Sequence, residues 1–546
     1  MQCKSNRCFV RTAACGLAAF VFLVFGAGLA PTADAFADKK AYNKGYKAIK
    51  KGDYPEAEKI FRDLLTKDGK DVEARLGLSF ALLKQRNIRD AYDHAARVIL
   101  INPLSARAHA LLGAAILAAG EFGLSVEEFK TALTLDQNEA LAVAGLAMVD
   151  FYENRLSLAI PGLRRAVSMD PDEPDFIFHL GQACARSEKY REAADAYERF
   201  LMVAPKTDSD RRERILGLID FLRYLGRQGA LYVPSGDRAS LPFDSTDNRP
   251  ILQVRVNGLK EPLRFVLDTG SGMSVISDET AKRLNIKPVA RGGQARAVGG
   301  GGKFGIVYGF LNSLEMGTVK VENVPVYIRR FYDVHIPVDG YLGLSVVQKY
   351  LTSLDYGTRR MSLVRQNQTE IIDTWTARRP EGIQGLAPVL PNDVAVEVPL
   401  RTTSSGFLSG EVNLEGFEKN VNFIIDTAAS ITVVSEKFSQ EEQFFSLLQP
   451  SRMRVFGAAG VTEDVKLLQL PKLSIGPSKL EKINAAVLDM EPVNETAGFT
   501  QSGILGGNFL RHFRISFDFA RGAMRLEPLN QNKVVDNSPP EVVVTP

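Results

Sequence analysis

The chain has 546 residues, enough for three or four domains at the usual ~150 residues each. Its 67 Lys and Arg face 64 Asp and Glu, a net charge of +3, which gives no ground for a nucleic-acid or strongly acidic partner. His94, His109, His179, His335 and His512 never fall at ligand spacing, so no metal site is expected.

At the N-terminus, Lys4, Arg7 and Arg11 precede an apolar, small-residue run from Thr12 to Ala30, and Ala33-Asp34-Ala35 follows as a cleavage signal. Residues 1–35 read as a signal peptide, or as an uncleaved N-terminal anchor, because the run is just long enough to cross a bilayer. Either way the body of the protein is expected across a membrane, in a bacterial periplasm, and touches membrane only through that segment. Cys3, Cys8 and Cys15 fall in the leader. Cys184 then has no partner for an internal disulfide and reads as a buried small residue in a helix.

Residues 38–226 are Ala/Leu-rich with a helical period. Small residues recur every 34 positions at Ala57, Ala91, Ser125, Ala159 and Ala193; twelve further on come Gly69, Pro103, Gln137, Pro171 and Pro205. This pattern resembles the tetratricopeptide repeat (TPR) and predicts five helix pairs, the small residue letting paired helices approach. Asp208 to Leu225 reads as a capping helix with Ile215, Leu218, Ile219 and Leu222 on one face. The resemblance implies a concave groove for a protein partner; a packing platform within the molecule is the plainer alternative.

Residues 227–248, rich in Gly, Pro, Asp and Ser, read as a linker. With Arg249 it has 23 residues, a reach of several tens of ångströms at ~3.3 Å each. Residues 249–366 and 394–529 are two copies of one β-rich unit. The first contains Phe265-Val-Leu-Asp268-Thr269-Gly270-Ser271 and the second Phe423-Ile-Ile-Asp426-Thr427-Ala428-Ala429. Thirty-one residues after each Asp come Gly299 and Gly457, opening the runs Gly299-Gly300-Gly301-Gly302 and Gly457-Ala458-Ala459-Gly460. Tyr341-Leu342-Gly343 parallels Ile504-Leu505-Gly506, and an Asp lies 12 residues beyond each of those glycines. Residues 367–393 between the copies read as a second linker with Trp375 and Arg378-Arg379-Pro380, and 530–546 as a disordered tail. Gly299–Gly302 before Lys303 is not a phosphate loop, since Phe304 stands where Ser or Thr is required.

The duplicated Asp-Thr loops resemble the aspartic peptidases, specifically the retropepsin-like proteins of bacteria. The fold class expected is therefore multidomain: an all-α TPR solenoid followed by two all-β, retropepsin-like lobes. The resemblance implies a catalytic pair, Asp268 and Asp426, one acting as base and one as acid, with no metal or organic cofactor. It implies support from Thr269, Gly270, Ser271, Thr427 and Ala428, with each Thr bonded to the opposite lobe and the Ser271 hydroxyl on Asp268. Gly299, Gly300, Gly301, Gly457 and Gly460 fall where flaps close over a substrate. Ala429 cannot replace Ser271, so Asp268 is expected to ionise first. Ala428 stands where the family has Gly, a position expected to favour Gly if the backbone angle is positive.

Together these readings predict an exported aspartic endopeptidase of protein or peptide substrates, recruited by the repeats. Ala428 motivates an alternative, a catalytically inactive peptide-binding scaffold of the cell envelope. A third arrangement pairs Asp268 with its copy in a second chain. The linker predicts that short-peptide hydrolysis survives removal of residues 38–226.

Overall fold

The structure, a computed structural model, describes residues 33–333, 336–366, 396–440 and 442–529. The leader before residue 33, His335, the linker 367–393 and the tail lie outside the described residues.

The helical half runs α1 (Ala33–Lys51), α2 (Tyr54–Lys67), α3 (Val72–Lys84), α4 (Ile88–Ile101), α5 (Ala106–Ala119) and α6 (Phe122–Leu135). It continues with α7 (Ala140–Tyr152), α8 (Leu156–Met169), α9 (Pro174–Arg186), α10 (Tyr190–Val203) and α11 (Ser209–Leu225). The 34-residue positions Ala57, Ala91, Ser125, Ala159 and Ala193 each sit one turn into the second helix of a pair and are fully buried. Glycines on the first helices make room for rings from the second. A Cβ on Gly45 or Gly77 would stand 2.6 or 2.4 Å from Phe61, and one on Gly145 2.2 Å from Phe129. Asp53 and Asn87 cap α2 and α4 by accepting from the Glu56 and Asp90 amides.

The array bends back on itself. Thr207 Oγ1 donates to the Lys51 carbonyl at 3.3 Å, joining the last turn to the first. Lys84 on α3 reaches Glu173 and Asp175 at the start of α9, both at 2.6 Å, and Arg211 on α11 holds the other Asp175 oxygen at 2.6 Å. The chain's own charges therefore bridge the groove that the repeat pattern offers to a partner.

The first lobe contains β1 (Val233–Ser235), β2 (Arg238–Thr246), β3 (Arg249–Val256), β4 (Leu263–Leu267), β5 (Ser274–Ser277), α12 (Asp278–Arg283) and β6 (Ala290–Arg296). Then come β7 (Lys303–Met316), β8 (Val319–Arg329), β9 (Gly340–Leu342), β10 (Tyr350–Asp355) and β11 (Arg360–Arg365). The second lobe contains β12 (Val396–Thr402), β13 (Leu408–Leu414), β14 (Val421–Ile425), β15 (Thr432–Ser435) and β16 (Leu448–Gly457). It ends with β17 (Gly460–Ile475), β18 (Ser478–Leu488), β19 (Gly503–Leu505), β20 (Phe513–Asp518) and β21 (Ala523–Pro528).

A six-stranded antiparallel sheet, in the order β2-β11-β10-β20-β21-β12, runs beneath both lobes. At its centre β10 and β20 pair Ser353 with Ser516, whose hydroxyls lie 2.7 Å apart. The lobes are thus welded by a ladder of backbone hydrogen bonds, which resists sliding in a way that side-chain packing alone does not.

Two expectations are corrected here. Residues 227–248 are not a linker: β2 pairs with β3 and β11, and its side chains alternate, with Ala239, Leu241 and Phe243 inside. Its turn also supports the second lobe, where Asn248 Nδ2 donates to the Ser430 carbonyl at 3.1 Å. Nor are the repeats a tethered module. Helix α11 buries Ile215, Ile219 and Leu222 toward the array, and it also buries Gly217, Phe221 and Leu225. Phe221 stacks on Tyr308 at 4.2 Å, and a Cβ on Gly217 would strike the Gly292 carbonyl oxygen at 2.2 Å. The array meets the second lobe as well: Thr500 N donates to the Ala118 carbonyl at 2.9 Å, and Phe122 packs edge-on against Phe499 at 5.0 Å. Arg186 donates to the Thr403 carbonyl.

Candidate functional site

Strands β4 and β14 end on Asp268 and Asp426, and the same scaffold holds each loop. Strand β9 runs parallel to β4 and β19 parallel to β14; Asp268 N donates to the Leu342 carbonyl at 3.0 Å and Asp426 N to that of Leu505 at 3.1 Å. Only glycine fits on the parallel strands, because a Cβ on Gly340 would lie 2.3 Å from Phe265 and one on Gly503 2.5 Å from Phe423. Past the loops, Leu344 N donates to the Ser271 carbonyl and Gly507 N to that of Ala429.

The two threonines cross between lobes. Thr269 Oγ1 donates to the Ile425 carbonyl at 2.7 Å, and Thr427 Oγ1 to the Leu267 carbonyl at 2.6 Å. Each hydroxyl also accepts the other threonine's amide, at 3.0 and 3.3 Å. Both residues are fully buried, so each crossed bond is shielded from water and fixes the separation of the loops.

This brings the carboxyls of Asp268 and Asp426, both half-buried, close enough to act on each other. Burial raises the Asp268 pKa well above the usual carboxylate range, and the neighbouring Asp426 raises it further. Burial also raises that of Asp426, but amide donors oppose it: Ala428 N at 2.8 Å and Ala429 N at 3.2 Å both reach its Oδ1. Like charges this close disfavour double ionisation, and the two amides favour the charge on Asp426. This reverses the expectation that Asp268 ionises first. The physical reason is the pair of amides on Asp426, together with the Ser271 hydroxyl, which donates to the Met273 carbonyl at 2.7 Å.

Ala428 is not strained. Neither it nor Gly270 adopts a positive φ, so the conformational argument for glycine falls away at both positions. Gly270 is needed for space: a Cβ there would lie 2.5 Å from Asp426 Cγ.

The glycine runs form two hairpin tips that meet. Ala459 N donates to the Val298 carbonyl at 3.3 Å; a Cβ on Gly299 would lie 2.7 Å from the Gly460 oxygen, and one on Gly457 2.2 Å from the Val298 oxygen. Gly300 packs against Ala459 and Gly460, while Gly301 faces open space. Gly299 (φ 90°) and Gly460 (φ 140°) also need their backbone freedom.

Arg329, at the end of β8, was not singled out from sequence. Its guanidinium donates to the Ala458 carbonyl in the second tip at 2.9 Å, and its charge acts on Asp268. A signal was present: in the β5–β8 register Ser277 faces Arg329, whereas the matching Ser435 faces Leu488. A cation breaks the apolar pattern of one copy only.

An aspartyl protease family model matches residues 252–346 and 410–509, and tetratricopeptide-repeat models match 48–115 and 145–210. The helical half thus matches tetratricopeptide repeats, and the β-rich half matches an aspartyl protease domain in two segments. None of the curated proteins matches it. Among solved structures it is similar to MamA, at 23% identity over 29% of this chain and 92% of that one, with a TM-score of 0.22. It is also similar to a thermophilic TPR protein of Thermus thermophilus, TTC0263, at 20% identity over 32% and 95%, with a TM-score of 0.28. YrrB, a TPR protein with an unusual peptide-binding site, matches at 16% identity over 32% and 95%, with a TM-score of 0.22.

Proposed function

We propose that this protein is an exported aspartic endopeptidase whose dyad, Asp268 and Asp426, forms within one chain. The observation that carries the reading is a pair of half-buried, mutually interacting carboxyls on loops locked together by crossed threonine bonds, in lobes whose two hairpin tips meet. Asp426, ionised, takes a proton from water, and the oxygen adds to the scissile carbonyl carbon as Asp268 gives its proton to the carbonyl oxygen. Asp426 then passes its proton to the amide nitrogen as a diol hydroxyl returns one to Asp268, the C–N bond breaks, and an acid and an amine leave. Burial makes this exchange efficient because the carboxyls need no resolvation between steps.

The basic-then-apolar leader supports export, either released or anchored in the membrane. Repeats of this kind generally mediate protein contacts, and here they would present protein substrates to the adjoining lobes. Hydrolysis of casein by wild type, Asp268→Asn and Asp426→Asn tests the reading. Both variants should be inactive while keeping their fold. Full activity in either excludes this dyad, and an inert wild type favours the scaffold alternative.

A further inference from the structure

A cavity of about 460 Å³ opens on the first-lobe side, between α12, the stem of the β6–β7 hairpin and the end of β8, with Ala458 of the opposite tip at its edge. Neither aspartate lines it, but Arg329 of its wall carries a charge that reaches Asp268 and donates to the Ala458 carbonyl of the second tip. Its floor is apolar, formed by Ile286, Pro288, Val307 and Ile328. Its rim is not. Lys282, Arg291, Arg329 and Arg330 set four cations around it against one acid, Asp278, which lies 3.7 Å from Lys282.

Arg329 is half-buried, ringed by Phe304, Phe331 and Tyr341 at 5.1 to 5.9 Å, and among the described residues Asp268 is the carboxyl that acts on it. The Arg330 side chain contacts only the Tyr332 ring among the interactions of the described residues, at 5.8 Å. Arg329 is thus partly drawn out of water, a cost that an incoming anion relieves, while Arg291 and Arg330 are exposed and free to reach that anion. Among the described residues, the second lobe has no such cluster at the matching positions. Leu488 and Asp489 occupy the positions of Arg329 and Arg330, and Glu491 beyond them is taken by Lys437 at 2.7 Å.

We propose that this cavity is a substrate subsite selective for an acidic side chain on one side of the scissile bond; the inference rests on the peptidase reading. A Glu fits its two-part chemistry, with methylenes on the apolar floor and carboxylate at Arg330 and Arg291. Because the cluster is confined to one lobe, the preference falls on one side of the bond and fixes the direction in which the strand lies.

The test uses the intact protein and fluorogenic peptides carrying Glu or Gln at each position flanking the scissile bond. At one position Glu should exceed Gln by about tenfold or more in kcat/KM. The ratio should fall toward one in an Arg291→Gln/Arg330→Gln variant, and Arg330→Glu should turn the preference toward Lys. Equal cleavage of Glu and Gln peptides at every position overturns the subsite and leaves the peptidase standing. If wild type cuts none of them, the peptidase reading has failed, and binding decides the subsite. Anisotropy of the same peptides on Asp268→Asn protein should still show Glu bound about tenfold tighter, and equal binding overturns the proposal. If the double variant does not fold, the wild-type preference must still shrink with added salt; a salt-independent ratio overturns it too.

Discussion

Gly270→Ala is expected to cost far more than Ala428→Gly, although the two positions are copies of each other. The added Cβ would stand 2.5 Å from Asp426 Cγ and 2.6 and 2.9 Å from its two oxygens. Carbon atoms rest at ~3.5–4.0 Å, so loop or carboxyl must retreat by about 1 Å. Such a shift breaks the bonds of 2.8 and 3.2 Å from Ala428 and Ala429 and parts Asp426 from Asp268. A misplacement of ~1 Å costs on the order of a hundredfold in rate, about 2.7 kcal/mol of barrier. Overpacking should also remove about 1–3 kcal/mol of stability. In the reverse swap no positive φ is involved, so Ala428→Gly should lose only ~0.4–1 kcal/mol through the unfolded chain and change kcat by less than about threefold. The assay is kcat and KM on one fluorogenic peptide, with thermal melts for both variants. A folded Gly270→Ala protein within about threefold of wild-type kcat refutes the reasoning.

Hydrolysis should follow a bell-shaped pH profile. Both aspartates are raised above 3.8, so activity falls as Asp426 gains a proton on the acid side and as the shared proton leaves Asp268 well above that value; a profile flat through the acid range contradicts the shared proton. Phe221→Ala removes a fully buried ring stacked on Tyr308 and should cost ~3–5 kcal/mol in a urea melt, as one transition spanning repeats and lobes. Deleting residues 33–226 should abolish short-peptide cleavage and soluble folding, since α11 closes the first lobe; a folded, active truncation revives the tether. Lys84→Met strands Glu173 and leaves Asp175 with Arg211 alone, and should cost ~3 kcal/mol near neutral pH. Although burial opposes it, Lys84 and Arg211 depress the Asp175 pKa, so this stabilisation is present above the usual carboxylate range and lost as pH falls through it and below. The variant's deficit should therefore shrink in acid.

Repetition made the dyad legible. One Asp-Thr loop is an ordinary turn, but two loops with glycines 31 residues behind each imply one site built twice. The same logic, carried further, reaches β2. The threonines bonded across the site are 158 residues apart, and stepping that distance back from the first strand of the second copy, Val396, arrives at Arg238, where β2 begins. Its Ser, Asp and Pro content hid it, because an edge strand tolerates Pro and one solvated face. The docking of α11 was hidden for another reason. Its lobe-facing side contains Gly217, and a helix glycine registers as a weakness in the sequence until a backbone is seen against it. Arg329 and the order of ionisation depend on which groups meet across elements far apart in the chain, and no local pattern carries that.

The central claim is a proton-sharing dyad completed within a single chain. Its most direct test is peptide hydrolysis by wild type, Asp268→Asn, Asp426→Asn and an equimolar mixture of the two variants, each followed against protein concentration. An intramolecular dyad gives wild-type rates linear in concentration and no activity from either variant or from the mixture. Activity in Asp426→Asn that grows with the square of concentration would place the dyad between two copies of Asp268, contradicting the account.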